Sequence, residues 1–183
     1  MELRGPRLFL RDFTLEDADG LVRLRVENRS FLDPYEPIRE EEFFTGPGQR
    51  REIERGMSDA AADRAYPFGI FSRDGGALIG ALRLSSIVRG AWHNANLGYF
   101  VARRDNGRGA GTEAVGLALD FAFESAGLHR VQAAVMPANR ASIRVLEKNS
   151  FRREGYALRY LRIAGEWRDH EIYAITREEW TPA

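Results

Sequence analysis

The sequence predicts one mixed α/β domain over residues 1–183, with antiparallel strands in its first half and a strand–helix–strand–helix centre. The first observation is that apolar and polar residues alternate in several segments that end at glycine-rich turns. The second is that two segments with helical spacing each follow a strand in the second half. The third is that no repeat, low-complexity tract or linker divides a chain whose length suits one core.

The first third of the chain is predicted to hold a strand and then two helical segments. Thr14 caps the first helix, since Asp17 follows three residues later and apolar residues then recur at helical spacing. Prolines make the next segment irregular. In order, we expect a strand over 7–13, a helix over 14–28, a loop over 31–37, and charged helical residues over 39–63 that are interrupted at 45–48.

Three strands are predicted next. Residues 67–72 and 77–88 are joined by the turn RDGG at 73–76. The third strand covers 93–102 and contains Gly98, which indicates a bulge or a close backbone approach at that position.

The second half alternates helices with strands. Residues 112–127 are so densely apolar that their helix must be substantially buried, and Gly127 is placed to end it. Asn139 is expected to cap a later amphipathic helix. The remaining elements are a strand over 130–137, that amphipathic helix over 139–149, and a closing hairpin of 151–163 and 168–180 around the turn at 164–167, with a last short helical turn at its end.

Composition narrows the classes of function. The chain has no cysteine, which excludes disulfides, thiolate catalysis and cysteine-ligated metals. His93, His129 and His170 lack metal-ligand spacing, so we expect no metal site. Basic and acidic residues balance at 27 each, so charge gives no reason to expect a nucleic-acid or membrane partner. Since no signal-peptide core or spanning segment is visible, we expect a cytoplasmic protein.

The stretch DNGRGAGTEA at 105–114 has glycines at three alternate positions, between a predicted strand and a buried helix. Such glycines fit a nucleotide phosphate, a tight turn without a ligand, or a flexible loop. Free amides at a helix start favour an anion, and glycine lets a bulky diphosphate approach them. Two familiar phosphate loops are excluded, because Gly111 is not followed by lysine and Thr112 stands where the dinucleotide pattern needs its third glycine. The residues alone leave the alternatives open.

Three longer segments carry a resemblance to a known family. They are LGYFVARRDNGRGAGTEAVGLALDFAF, GLHRVQAAVMPANRASIRVLEKNSFRREG and GEWRDHEIYAITREEW. In these segments the sequence resembles the GNAT superfamily of acyl-CoA-dependent N-acetyltransferases, and within it the ribosomal-protein-alanine (RimJ/RimL-like) branch. The resemblance implies the GNAT fold, a central mixed, mostly antiparallel sheet flanked by helices and splayed at two parallel central strands. It also implies that the strand carrying Gly98 bulges and separates from strand 130–136.

The resemblance implies acetyl-CoA as the cofactor, with coenzyme A as a product. The family pattern of Gln or Arg, two residues, Gly, one residue and Gly or Ala falls on Asn106, Gly109 and Gly111, so Asn106 departs from the usual first residue. Backbone amides over 108–112 are expected to hold the diphosphate, and main chain near Phe100 is expected to bind pantetheine. The residues implied in cofactor binding are Phe100, Val101, Arg108, Gly109, Ala110, Gly111, Thr112, Asn139 and Ser142.

Asn139 and Ser142 have two readings. From the residues alone, Asn139 is a helix cap and Ser142 is a polar residue of the first turn. The resemblance implies that Asn139 contacts pantetheine and that Ser142 is catalytic, protonating the leaving thiolate directly or through water. A thiol with a pKa of about 8.5 already gives a fair leaving group, so the gain from such an acid is small.

Asn96 is the other expected catalytic residue, and it is a departure from the family. Many relatives carry a glutamate at this place in the splayed strand, whereas asparagine orients a water but accepts no proton. Neutralising a lysine amine at pH 7 costs about 4.6 kcal/mol, whereas an α-amine costs only about 1–1.4 kcal/mol. The missing carboxylate therefore favours an α-amine as the acceptor.

Substitute bases are expected near the acceptor cleft. Asp33 and Glu36 lie in the FLDPYEP loop, which borders that cleft in the family. His93 titrates in a suitable range but begins a strand. Tyr156 and Tyr160, on a late strand, are weaker candidates, and each of these residues also fits an ordinary surface position.

The expected function is an acetyl-CoA-dependent N-acetyltransferase in which a primary amine attacks the thioester directly. The preferred acceptor is the α-amine of a ribosomal or other protein N-terminus, and a homodimer is compatible with the resemblance. One alternative is a small-molecule N-acetyltransferase acting on an aminoglycoside, a polyamine or a metabolite. Another is a catalytically degenerate acyl-CoA-binding module, suggested by Asn96 and Asn106.

Overall fold

The computed structural model describes residues 1–182. Its strands are β1 (Glu2–Arg4), β2 (Leu8–Asp12), β3 (Ala65–Ser72), β4 (Leu78–Val88), β5 (Asn94–Val101), β6 (Arg130–Val135), β7 (Arg152–Ile163) and β8 (Glu166–Thr176). Its α-helices are α1 (Ala18–Leu32), α2 (Gly46–Ala61), α3 (Ala110–Asp120) and α4 (Arg140–Lys148). Apart from β1, for which no strand is predicted, this order follows the predicted succession of strands and helices.

The strands of the described chain form one mixed sheet in the order β1-β2-β3-β4-β5-β6-β8-β7. Neighbouring strands run antiparallel except β5 and β6, which are parallel. β5 and β6 pair over three residues each, ending at Asn96 opposite Gln132. Beyond that pair, β5 stays with β4 as far as Val101 and β6 stays with β8 as far as Val135. The expected mixed sheet, splayed at its parallel strands, is confirmed.

Helices cover both faces of the sheet. On one face, Leu97 and Val101 of β5 pack in the main core with buried residues of α3 and α4. Phe100 points to the opposite face, where it packs with Leu24 and Leu32 of α1. This alternation is the ordinary period of a strand. β5 therefore contributes side chains to two helical layers, and an opening beside it reaches both.

The predicted capping box forms, but it caps the 3-10 turn Leu15–Asp17 that precedes α1. In this Thr14–Asp17 box, the Asp17 carboxylate accepts from the Thr14 amide at 2.8 Å. A 3-10 turn precedes α1, which then runs past its predicted end to Leu32. A second 3-10 turn at Asp33–Tyr35 lies inside the predicted loop, because Pro34 fits a first turn but not a helix interior.

The predicted interruption at 45–48 is confined to Thr45, whose extended backbone separates a 3-10 turn from α2, while residues 46–48 already belong to α2. The Thr45 hydroxyl accepts from the Gly48 amide at 3.2 Å and caps the helix. Pro47 lies in the first turn, where its missing amide hydrogen removes no helical hydrogen bond. A short 3-10 turn, Glu41–Phe44, precedes the cap.

The expected bulge at Gly98 is wrong. β4 and β5 keep their register across it, with Gly98 opposite Arg83, and their irregularity begins at Ser85. A Cβ built at Gly98 meets no described atom within 4 Å. The close approach is at Gly80 instead, where a Cβ would lie 2.3 Å from the carbonyl oxygen of Phe100. Because Gly80 has no side chain, β4 can pair closely with β5 in the part of β5 that no longer pairs with β6.

Gly80→Ala is expected to lower the free energy of unfolding by about 1–3 kcal/mol, because the added methyl group meets backbone that cannot move aside cheaply. Gly98→Ala is the matched control, since its methyl group enters open space, and it should change stability by less than about 1 kcal/mol. Urea unfolding of both variants measures this difference. A Gly80→Ala protein as stable as the wild type would contradict the tight pairing.

Candidate active site

A cavity of about 890 Å³ lies where β5 and β6 separate. Part of its wall comes from the loop before α3 and from the first turns of α3 and α4. Another part comes from α1, α2 and the segment between them. Residues 97–101 of β5 and 133–136 at the end of β6 line the passage. The cavity therefore connects the two helical layers through the opening in the sheet.

The three glycines of the loop before α3 have different structural reasons. Gly107 and Gly109 adopt left-handed φ angles of +76° and +85°, a region that favours glycine. Gly111 lies in the first turn of α3, where a Cβ would lie 3.4 Å from Cγ2 of Val145 on α4. The first two glycines shape the turn into α3, and the third lies where α3 packs against α4, at a distance at which an alanine methyl group also fits. Together they place the first amides of α3 at the cavity wall, as an anion site requires.

The structure brings most of the expected cofactor-binding residues together. Two of them, Arg108 and Ala110, belong to the same loop segment but do not line the cavity. The expected residues that line the cavity are Phe100, Val101, Gly109, Gly111, Thr112, Asn139 and Ser142.

Arg7, just before β2, holds the loop from outside. Its guanidinium donates to the Arg108 carbonyl at 2.5 Å and to the Glu113 carboxylate at 2.8 Å. Glu113 also accepts from the amides of Arg7 and Leu8 at 2.8 and 3.1 Å. Since a trans peptide directs its C=O and N–H oppositely, the Arg108 carbonyl turned towards Arg7 directs the Gly109 amide away from it. We name Arg7, Arg108 and Glu113 the loop clamp.

Asn106, the departure from the family pattern, folds the loop back onto β5. Its side-chain amide donates to the carbonyls of Val101 at 2.9 Å and Ala102 at 3.3 Å. Buried Asn28 of α1 adds a second support, because its side-chain oxygen accepts from the Arg103 amide at 2.8 Å. The short asparagine side chain thus has a structural role inside the loop.

Ser142 lies at the cavity wall beside a tyrosine that sequence reasoning missed. The Asn139 side chain accepts from the Ser142 amide at 3.1 Å, so the predicted helix cap is confirmed. The Ser142 hydroxyl is 2.9 Å from the hydroxyl of Tyr99. Burial raises the pKa of Tyr99 to about 12, although the bond to Ser142 opposes the shift. A neutral Tyr99 can therefore donate to Ser142 and orient it.

Asn96 lies at the closed end of the opening. Its side-chain oxygen accepts from the Gln132 side chain at 2.7 Å, across the last paired position of β5 and β6. Among the described residues it is not part of the cavity wall. The amide of Asn96 therefore joins two strands where the sheet is still intact.

The acceptor-cleft candidates are not brought together. Glu36 lines the cavity and accepts two hydrogen bonds from Arg25, at 2.7 and 3.0 Å. Burial lowers the pKa of Arg25 and the Glu36 carboxylate opposes that shift, while the guanidinium lies 4.0 Å from the Phe100 ring centroid. Asp33 is exposed and His93 precedes the closed end of β5, so both lie away from the cavity wall among the described residues.

His170 is a second residue that sequence reasoning missed. It is 3% exposed and lines the cavity from β8. The sequence gives little indication of this position, because His170 lies beside the opening only through the pairing register of β8 with β6.

Across residues 1–182, no group of three or more His, Cys, Asp or Glu side chains is arranged to hold a metal ion. No helix within this described range is long and apolar enough to span a membrane.

Comparisons with known proteins point to one family. Residues 7–152 match the acetyltransferase (GNAT) domain. The chain is 41% identical over 173 residues to a probable N-acetyltransferase, YjcK, of Bacillus subtilis, covering 94% of this chain and 96% of that protein. It is 35% identical over 182 residues to the [ribosomal protein uS5]-alanine N-acetyltransferase of Escherichia coli, covering 100% of this chain and 94% of that protein.

Solved structures agree with these relatives. The ribosomal-protein-S5-alanine acetyltransferase of Vibrio fischeri superposes with a TM-score of 0.92 at 29% identity, covering 100% of both chains. RimJ of Mycobacterium smegmatis, solved in complex with CoA-disulfide, superposes with a TM-score of 0.91 at 33% identity, covering 98% of this chain and 87% of that one.

Tyr99→Phe is expected to change how stability depends on alkaline pH. An unfolded tyrosine ionises near pH 10, whereas folded Tyr99 keeps its proton to about pH 12. Between these values the unfolded state binds fewer protons, so this tyrosine makes stability fall as pH rises, by up to about 3 kcal/mol. Phenylalanine does not ionise, so the free energy of unfolding of the variant should lack this part of the fall. Urea unfolding of both proteins between about pH 9 and 12 measures the difference. Parallel pH curves for the two proteins would contradict the buried, neutral tyrosine.

Proposed function

Because the chain belongs to the acetyltransferase (GNAT) family, we propose that it transfers the acetyl group of acetyl-CoA to the α-amine of a protein or peptide N-terminus. The observation that carries the proposal is a single cavity that reaches both faces of the sheet. On one face it includes the start of α3 with its free amides, and on the other face it is lined by residues of α1, α2 and the segment between them. The first space suits a diphosphate, and the second suits an amine acceptor.

On the donor side, the coenzyme would lie along the opening. The amides of 108–112 would hold the diphosphate, helped by the dipole of α3. The pantetheine arm would lie beside Phe100 and Val101, whose backbone is past the last pair with β6. Backbone groups that lack a strand partner need another hydrogen-bonding partner, and the amides of pantetheine can provide it. Asn139 and Ser142 would lie beside the thioester end of this arm.

The proposed reaction is a direct displacement. The neutral amine attacks the thioester carbonyl carbon and forms the C–N bond, while a main-chain amide near the end of β5 stabilises the oxyanion. The intermediate loses one amine proton, and the C–S bond breaks. The thiolate leaves as an anion or takes a proton from Ser142, which lies within hydrogen-bond distance of Tyr99. Acetylated amine and coenzyme A are the products.

Two considerations support an α-amine as the acceptor. Its neutral form costs about 1–1.4 kcal/mol at pH 7, against about 4.6 kcal/mol for lysine. The Escherichia coli relative, 35% identical to this chain, is named for acetylation of an alanine of ribosomal protein uS5. The proposal accordingly takes a ribosomal or other protein N-terminus as the acceptor and the cytoplasm as the compartment.

Titration calorimetry with acetyl-CoA and a thiol-release assay test the proposal. We expect acetyl-CoA to bind, and a peptide with a free N-terminal alanine and an internal lysine to be acetylated on the α-amine. The same peptide with a blocked α-amine is the control and should release almost no thiol. Failure to bind any acyl-CoA would contradict the proposal.

Turnover of polyamines or aminoglycosides without turnover of peptides would favour the small-molecule alternative. Binding of acetyl-CoA without turnover of any amine would favour the degenerate binding module.

Arg7→Met tests the loop clamp. Loss of its hydrogen bonds to Arg108 and Glu113 removes about 1.5 kcal/mol of positioning, so the KM for acetyl-CoA should rise about tenfold. The matched control is Arg4→Met, since Arg4 lies on the neighbouring edge strand and pairs with Glu2 instead. Steady-state kinetics with both variants give the comparison, and a KM equal in all three proteins would contradict the clamp.

A further inference from the structure

His170 is a buried titratable side chain at the cavity wall that the reaction described above does not use. The reaction needs an acceptor for the amine proton, and Asn96 cannot provide one. Both carboxylate oxygens of Glu36 already accept hydrogen bonds from Arg25. Another side chain on this side of the sheet therefore suits the role of proton acceptor better.

A hydrogen bond sets the tautomer of His170. Its Nδ1 lies 3.0 Å from the carbonyl oxygen of Arg168. Because a carbonyl oxygen only accepts, Nδ1 carries the hydrogen in the neutral ring and Nε2 carries the lone pair. Within the described chain no side chain or backbone group occupies Nε2 with a hydrogen bond. The ring also contacts Tyr160, with centroids 5.7 Å apart. His170 is thus held with a free basic nitrogen.

Strand register places His170 at the open end of the sheet. β6 and β8 pair as far as Val135 opposite Glu171, and His170 follows next on β8. Asn96, in contrast, is level with Ala174. Ala174 lies four residues from His170, which is about 13 Å along β8 at about 3.3 Å per residue. Ala174 and His170 share a face because four residues separate them. His170 therefore faces the same layer as Asn96, but beside the opening.

The charged groups that share this part of the cavity are already paired or stacked. Arg83 donates to Asp59 of α2 at 2.6 Å. Arg39 lies 4.8 Å from the Phe43 ring centroid. The other charged groups lining this side are the paired Arg25 and Glu36, and Glu52, which accepts from Arg55 at 2.8 Å. No cation pairs with the imidazole of His170 among the described residues, so its Nε2 is open to the cavity side.

We propose that Nε2 of His170, directly or through one water, accepts the proton lost by the attacking amine, a role that rests on the proposed function. The amine nitrogen forms the C–N bond, one N–H bond breaks, and its proton passes to Nε2. The C–S bond then breaks and the electron pair leaves on sulfur. The imidazolium returns its proton to solvent before the next turnover.

His170→Asn and His170→Ala test the proposal in the full-length enzyme. The asparagine amide can keep a hydrogen bond to the Arg168 carbonyl but has no basic nitrogen. We expect kcat/KM for the alanine peptide to fall about 100-fold or more, the usual contribution of a general base. Binding of acetyl-CoA should stay within about twofold of wild type. The control is His129→Asn, since His129 is exposed and pairs with Glu178 away from the cavity.

Rescue separates proton transfer from a structural role. In His170→Ala the space left by the ring can admit free imidazole, which should restore turnover in proportion to its concentration, and more so for more basic imidazoles. Wild-type activity in His170→Asn would overturn the assignment. Low activity without rescue, accompanied by weaker acetyl-CoA binding or a lower melting temperature, would also overturn it. An inactive wild-type protein is a different result, because it contradicts the proposed function itself.

Discussion

The early end of pairing between β5 and β6 is the constraint on which the site depends. The two strands share hydrogen bonds as far as Asn96 and Gln132, and each then follows its other neighbour. Gly80 makes this divergence feasible, because the absence of a side chain lets β4 hold β5 closely beside the Phe100 carbonyl. The result is a passage through the sheet with unpaired backbone groups along it. Those groups can pair with the amides of a bound arm.

The two ends of this passage differ in how their groups are fixed. At one end, the loop clamp and the cap of α4 orient backbone amides, and Tyr99 orients the Ser142 hydroxyl. Such groups are arranged before any ligand arrives, so binding loses little freedom. At the other end, Arg25 and Glu36 neutralise each other within the cavity wall. In the proposed reaction, the acceptor would then be selected by shape and by the remaining groups that can accept a proton.

Sequence reasoning recovered the elements better than the contacts between them. Periodicity, caps and glycines predicted nearly all strands and helices, although β1 has only 3 residues and is too short to show a period. Arg7 and Glu113 are 106 positions apart, and Tyr99 and Ser142 are 43 apart, so no local pattern joins them. His170 was missed for the same reason, since register across β6 decides its place. The bulge predicted at Gly98 was wrong because a glycine can also occupy a regular strand position that faces open space.

A crystal structure with a bisubstrate analogue, coenzyme A joined through an acetyl group to the α-amine of an alanine peptide, tests the central claim most directly. We expect the diphosphate on the amides of 108–112, the pantetheine between β5 and β6, and the thioether beside Ser142. The peptide nitrogen should then lie on the His170 side of the sheet. A coenzyme bound elsewhere, with the opening between β5 and β6 empty, would contradict this binding mode.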